Sequence, residues 1–343
     1  MASSSAARAT GCAVLFLAVM TVPARAEAQQ SPQGFALERL YLSAPGGGWF
    51  VMDDLAMHGS LGGAVAVTTG YARNPLQVSQ GRQGLTLVSD QAFTDLGLAV
   101  TYDRVRLYLD LDMPLVTDGQ GGTVGSTTFL APKLDLGMQP DNLSDARVGL
   151  DARLLGDPGG PLRLGAGAQL FVPNGPRTTF NTDGSYSGCA YGTDGTYRAM
   201  IRALVAGDVG RFSYAGQLGV HVRPLDDAST PGSPRGSELL FGVAAGARLP
   251  VGKRDSTAFV VGPEVFGETA LRSFLGGSTT GVEGLLTGRL ELTGDDGPEL
   301  RVKLGAGGGL DPSFGAPDGR VVVGIELSDR TRPRAADRDP ARQ

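Results

Sequence analysis

The sequence predicts an all-β fold: a transmembrane antiparallel up-and-down β-barrel of about 12 strands. Three observations carry this. Apolar and polar residues alternate with period two, the spacing that sends successive side chains to opposite faces of a strand. The alternating runs are joined by connections that are short and long in turn, the layout of an outer-membrane barrel. No stretch after the first thirty residues is apolar for the ~20 positions a spanning helix needs.

The chain of 343 residues opens on an address. Residues 1–28 read as a secretory signal peptide: Arg8, the apolar run Ala13–Val22, then small-x-small sites at Ala24-Arg-Ala26 and Ala26-Glu-Ala28. Residues 29–54 hold Phe35, Leu37, Leu40, Tyr41, Leu42, Trp49, Phe50 and Val51, too apolar for a free tail. They form either a plug in the lumen or a periplasmic lead-in packed under the barrel, the lead-in being preferred.

The barrel follows over 55–327, with strands expected at 55–76, 90–102, 104–115, 144–155, 162–173, 196–209, 212–223, 237–249, 257–267, 279–293, 299–310 and 319–327. Val105, Leu107, Leu109 and Leu111 alternate with Arg106, Tyr108 and Asp110; Leu218, Val220 and Val222 alternate with Gln217, Gly219 and His221. Five connections are short and rich in Gly, Pro and Asp, as tight turns require: Asp103, 156–161, 210–211, 250–256 and 294–298. Six are long: 77–89, 116–143, 174–195, 224–236, 268–278 and 311–318. An even strand count puts both ends of the barrel on the short-turn side. A polar tail over 328–343, rich in Arg, Asp and Pro, reads as disordered.

Lipid offers no partner for backbone N–H and C=O groups, so a membrane sheet must close on itself. One parity then faces lipid and the other a lumen. A soluble β-sandwich is the alternative; it alternates too, but with less need for so many Arg and Asp or Glu on the polar parity. The lumen-lining basic residues expected from parity are Arg106, Arg147, Arg153, Arg163, Arg198, Arg202, Arg223, Arg248, Arg289, Arg301 and Lys303. The acids are Asp110, Asp151, Glu264, Glu283, Glu291 and Glu326, with His221 on the same parity. Inward glycines such as Gly149, Gly165, Gly167 and Gly305 leave room for water.

The composition narrows function. Hydrophobic residues make 41 %, enough to bury a core, and a formal charge of −5 disfavours nucleic acid. Two Cys exclude a disulfide scaffold, and no Cys/His set has metal spacing. His58 and His221 are the whole histidine complement, and both read as lumen residues, so neither a catalytic site nor a cofactor is expected.

Several segments carry a resemblance: Gly34-Phe-Ala-Leu-Glu-Arg-Leu40, Gly48-Trp-Phe-Val-Met-Asp-Asp-Leu55, Gly70-Tyr-Ala-Arg-Asn-Pro-Leu76, Asp145-Ala-Arg-Val-Gly-Leu-Asp-Ala-Arg-Leu-Leu-Gly156, Phe171-Val-Pro-Asn-Gly-Pro-Arg177 and Ala206-Gly-Asp-Val-Gly-Arg-Phe-Ser-Tyr-Ala215. Over about 34–327 the chain resembles the outer-membrane barrel of OmpA-family proteins from myxobacteria-like, Gram-negative bacteria. The resemblance implies a porin-like fold and no chemistry. It departs from the family in leaving no room for a C-terminal peptidoglycan-binding domain. The partners expected are outer-membrane lipid, the barrel-insertion machinery and small polar solutes. Two functions stay open: a passive diffusion channel leaning toward small polar or anionic solutes, and a non-conducting structural or surface-interaction barrel presenting its long loops.

Overall fold

The computed structural model describes residues 34–57, 59, 61–80, 82–125, 127–132, 144–175, 177–180, 186–225, 236–251, 257–293, 298–311 and 315–329. The expected signal peptide, the tail beyond 329 and His58 lie outside the described residues.

Twelve strands close an antiparallel barrel. They are β1 (Gly62–Gln80), β2 (Gln83–Tyr102), β3 (Val105–Asp118), β6 (Ala146–Leu155), β7 (Arg163–Val172), β10 (Arg198–Val209), β11 (Phe212–Val222), β12 (Glu238–Pro250), β13 (Thr257–Ala270), β14 (Thr280–Thr293), β15 (Glu299–Asp311) and β16 (Gly319–Ser328). Each pairs with its chain neighbours, and β1 closes on β16 from Ala64↔Ser328 to Arg73↔Gly319. The two short hairpins β4–β5 (Gly122–Val124, Thr127–Phe129) and β8–β9 (Thr178–Phe180, Tyr186–Cys189) stand in the long connections.

The alternation read from the sequence is the alternation of the wall. Ile201 is 65 % exposed between Met200 and Arg202, which are 1 % and 2 % exposed. Outward positions such as Val65, Leu98, Leu107, Leu218, Val243, Leu304 and Ile325 form an apolar band. Inward positions are charged, small or aromatic. A soluble sandwich would bury the band between two sheets; here it clothes the outside of a single closed sheet.

Two departures from the expected strand bounds exceed three residues. The 77–89 connection is strand, not loop: β1 and β2 run on together from Leu76↔Val88 to Gln80↔Gln83. Asn74, with φ of 52°, and Pro75 interrupt the ladder, and the hairpin resumes beyond them. The first strand starts at Gly62 rather than 55, because 55–57 belong to a segment inside the barrel.

At the long-loop rim the protruding β1–β2 ribbon and β4–β5 make a second apolar cluster. Leu76, Leu87, Val88, Val124, Phe129, Cys189 and Tyr191 enclose Phe35 and Leu37 from the N-terminal segment.

Candidate functional site

The segment 34–57 threads the lumen from the long-loop rim to the short-turn rim. Gly34 N–H donates to the Arg177 carbonyl at 3.1 Å and Leu37 N–H to the Tyr191 carbonyl at 3.0 Å, both in the long β7–β10 connection. At the other end Arg163 Nε donates to the Asp54 carbonyl at 2.8 Å, and an Arg153 guanidinium nitrogen donates to the Met57 carbonyl at 2.9 Å, beside the short β6–β7 turn. Gly34 therefore sits at the rim opposite the start of β1. The segment lies within the wall rather than beneath it, which corrects the preference for a lead-in packed under the barrel.

Its middle is a compact loop made by Pro45-Gly-Gly-Gly48. Gly46 and Gly48 take φ of 87° and 91°, open to glycine without strain. Ser43 N–H donates to the Phe50 carbonyl and Asp54 N–H to the Gly47 carbonyl, both at 2.7 Å. This satisfies a backbone that is neither helix nor ladder. Trp49, Phe50, Val51, Met52, Leu55 and Met57 are all nearly fully buried against inward Phe93, Leu204, Ala244, Val260, Phe266 and Leu285.

Inward glycines are the sockets for this loop. A Cβ on Gly242 would stand 2.2 Å from the Met52 methyl, one on Gly246 2.6 Å from the Trp49 ring, and one on Gly305 2.9 Å from the Phe50 ring. The space these glycines leave is filled by protein. Gly165 is covered by Leu55 in the same way, while Gly149 accommodates the ring of Tyr108 and Gly167 the carboxylate of Asp151.

The charged wall grips the segment. The Arg106 guanidinium holds the Asp53 carboxylate at 2.6 Å. Arg320 bridges Glu38 at 3.1 Å and Glu283 at 2.6 Å. Glu264, fully buried, accepts hydrogen bonds from Phe50 N–H (3.0 Å), Val51 N–H (2.9 Å) and the Thr287 hydroxyl (2.6 Å). Lys303 and Arg289 lie over the rings of Phe50 and Trp49, at 5.4 Å and 5.5 Å from their centroids.

Other wall charges satisfy one another. Arg147 pairs with Asp110 and Arg202 with Asp151, each at 2.8 Å; Arg163 pairs with Asp208 at 2.7 Å. Arg301 and Lys303 share Glu326, and Arg289 pairs with Glu291. Near the long-loop rim, Arg198 and Arg223 converge on Asp145, Asp194 and Glu238. Burial works against ionisation of Asp194, but Arg223 and Arg198 outweigh it and hold its carboxyl well below the usual carboxylate range. That carboxylate in turn accepts the Ala36 N–H at 2.8 Å.

The wall thus carries seventeen of the eighteen sequence-expected residues buried on its inner side: Arg106, Asp110, Arg147, Asp151, Arg153, Arg163, Arg198, Arg202, His221, Arg223, Glu264, Glu283, Arg289, Glu291, Arg301, Lys303 and Glu326. Arg248 is the exception. It has the inward parity, but it stands at the end of β12, its side chain is 46 % exposed, and it reaches around to Glu291 at the short-turn rim. A small cavity of about 50 Å³ remains beside the segment, lined by Glu38, Tyr41, Asp95, Asp110, Asp112 and Arg147 among others.

Sequence reasoning missed Asp53, Asp194, Glu238 and Glu268. Glu238 stands directly across from His221 in the β11–β12 ladder, so a full parity count of β12 reaches it. Glu268 falls on a strand end read as loop. Asp53 and Asp194 lie off the strands, where period-two reasoning has no purchase.

No family model and no curated protein matches the sequence. Solved structures similar to it are outer-membrane barrels. An outer membrane channel from Pseudomonas putida F1 is 12 % identical, with 80 % of this chain and 98 % of that one covered at a TM-score of 0.48. The NanC porin is 8 % identical, with 78 % and 100 % covered at 0.43. The CymD monoaromatic hydrocarbon channel is 12 % identical, with 81 % and 90 % covered at 0.38.

Proposed function

We propose that the chain is a channel of the Gram-negative outer membrane for small polar or anionic solutes, held shut at rest by its residues 34–57. Export by residues 1–28 and lipid around the barrel belong to this reading, as does insertion by the cell's barrel-assembly machinery. The apolar band on a closed sheet supports the membrane; a dozen strands leave a lumen wider than the filled eight-stranded case. The kinship with OmpA-family barrels rests on the turn motifs alone.

One observation carries the channel. The wall binds the segment through the groups a polar or anionic solute would bring. Arg106 holds a carboxylate, Arg153 and Arg163 hold carbonyls, and Arg320 holds the Glu38 carboxylate. With the segment displaced, Arg106, Arg153 and Arg163 face the short-turn half of the bore without those partners. This arrangement passes solutes and requires no reaction.

Planar-bilayer recording of the refolded protein, intact and lacking 34–57, tests the reading. Brief openings are expected from the intact chain and steady steps from the shortened one. The steps should lean toward anions and lose that lean in the Arg106→Glu, Arg163→Glu double variant. Silence from both chains favours a second reading, a non-conducting barrel that presents its long-loop rim. The apolar cluster that stiffens that rim is the observation in its favour.

A further inference from the structure

Beside the threaded segment, three side chains from three consecutive strands converge on one point. His221 of β11 faces Glu238 of β12 in the ladder, and Glu268 of β13 lies opposite Leu240, two residues along. His221 Nδ1 is 3.6 Å from Glu238 Oε2 and 3.6 Å from Glu268 Oε1, and the three atoms lie within 4.8 Å of one another. The residues are 0 %, 0 % and 4 % exposed. Among the described residues, neither of those two carboxylate oxygens makes a hydrogen bond, nor does His221 Nε2.

We propose that His221, Glu238 and Glu268 form a binding site for one divalent transition-metal ion of the zinc class. A separation of 3.6 Å is beyond hydrogen-bond reach for either oxygen. It is close to the ~3.4 Å between two donors of one tetrahedral ion with bonds of about 2.1 Å. Orphaned carboxylate oxygens in a dry wall are costly unless a cation or donor meets them. Imidazole with two carboxylates is a donor set for zinc and its neighbours rather than for magnesium.

The surrounding charges leave room for the ion. Arg39 approaches Glu238 Oε1 and Glu268 Oε2, and Arg223 donates to Glu238 Oε1 at 2.8 Å, so the guanidiniums take the oxygens turned away from His221. Asp194, Asp145 and Arg198 complete the network. That network sets four carboxyl groups against three guanidiniums around the imidazole. Phe171 stacks on His221 at 5.1 Å and fixes the ring. The Tyr41 hydroxyl, 3.4 Å from Nδ1, is a further oxygen within reach and comes from the segment itself. An ion here therefore ties the segment to the wall, whether or not the barrel conducts.

The test is zinc binding by the full-length, refolded protein without a histidine tag, stripped with chelator and then titrated with zinc chloride. Calorimetry and elemental analysis after gel filtration should give one zinc per chain. Binding should weaken at least tenfold in His221→Ala and in Glu268→Gln, both judged folded by heat-modifiable migration, and magnesium should not compete. Cobalt(II) gives a readout without any variant: the intact protein should acquire the visible absorption of a four- or five-coordinate ion, and zinc should abolish it. Absence of stoichiometric zinc, an octahedral cobalt spectrum alone, or binding unchanged in both folded variants overturns the proposal.

Discussion

Glu264→Ala isolates the grip of the wall on the threaded segment. Glu264 has no cation within ion-pair distance among the described residues; its carboxylate is met by two backbone N–H groups and one hydroxyl. Truncation leaves Phe50 N–H, Val51 N–H and the Thr287 hydroxyl without their acceptor. A buried donor left unmade costs about 1–3 kcal/mol. Water entering the vacated space and removal of a buried charge recover part of this. A net loss of about 3 kcal/mol is expected from the seat of the segment, roughly a hundredfold shift toward the released state. Glu264→Gln keeps the shape and one acceptor oxygen, so it should shift the balance by about tenfold. Hydrogen exchange at the Phe50 and Val51 amides reads the opening directly. Parental exchange rates at both amides in Glu264→Ala would refute the reasoning, since they would mean that the carboxylate does not hold the loop.

Three further predictions concern the socket, the band and the rim. Gly242→Leu drives a side chain into the place of the Met52 methyl, an overpacking worth about 1–3 kcal/mol; trypsin should then cut at Arg39, which the parent shields, and an uncut variant would show that the socket is dispensable. Leu218→Arg puts a charge in the middle of the apolar band, where it costs about 2–4 kcal/mol if lipid wets that band. The unboiled, fast-migrating form should diminish, and an unchanged fraction would argue for water there. Cys189 is 2 % exposed, and burial pushes its thiol pKa up, so maleimide should label it slowly at neutral pH until the protein is denatured. Labelling at the denatured rate would contradict the packed rim cluster.

The barrel was legible because its physics is periodic. A strand with an apolar outer face and a filled, charged bore on the other side must alternate, and the Arg147–Leu154 and Arg163–Val172 runs do so without a fault. The structured rim was less legible: β1 and β2 continue past the Asn74-Pro75 interruption, where turn residues counterfeit the end of a strand. The content of the lumen was legible only in part. The inward glycines spoke of space, but whether water or a tryptophan fills a socket depends on residues more than 190 positions away, as Trp49 and Gly246 show. The pairing of Asp53 with Arg106 and of Glu264 with the Phe50 and Val51 amides is likewise long-range and carries no local signature.

That residues 34–57 occupy the bore is tested most directly by the reactivity of a cysteine placed at Met52, in a Cys12→Ser, Cys189→Ser background, toward a bulky water-soluble thiol reagent. An equivalent cysteine at Arg211, in an exposed short turn, supplies the reference rate. Met52 is fully buried under Gly242, so its thiol should react orders of magnitude more slowly than that at Arg211 and catch up only on boiling. Equal rates in the folded protein would mean an open, water-filled lumen and would contradict the account.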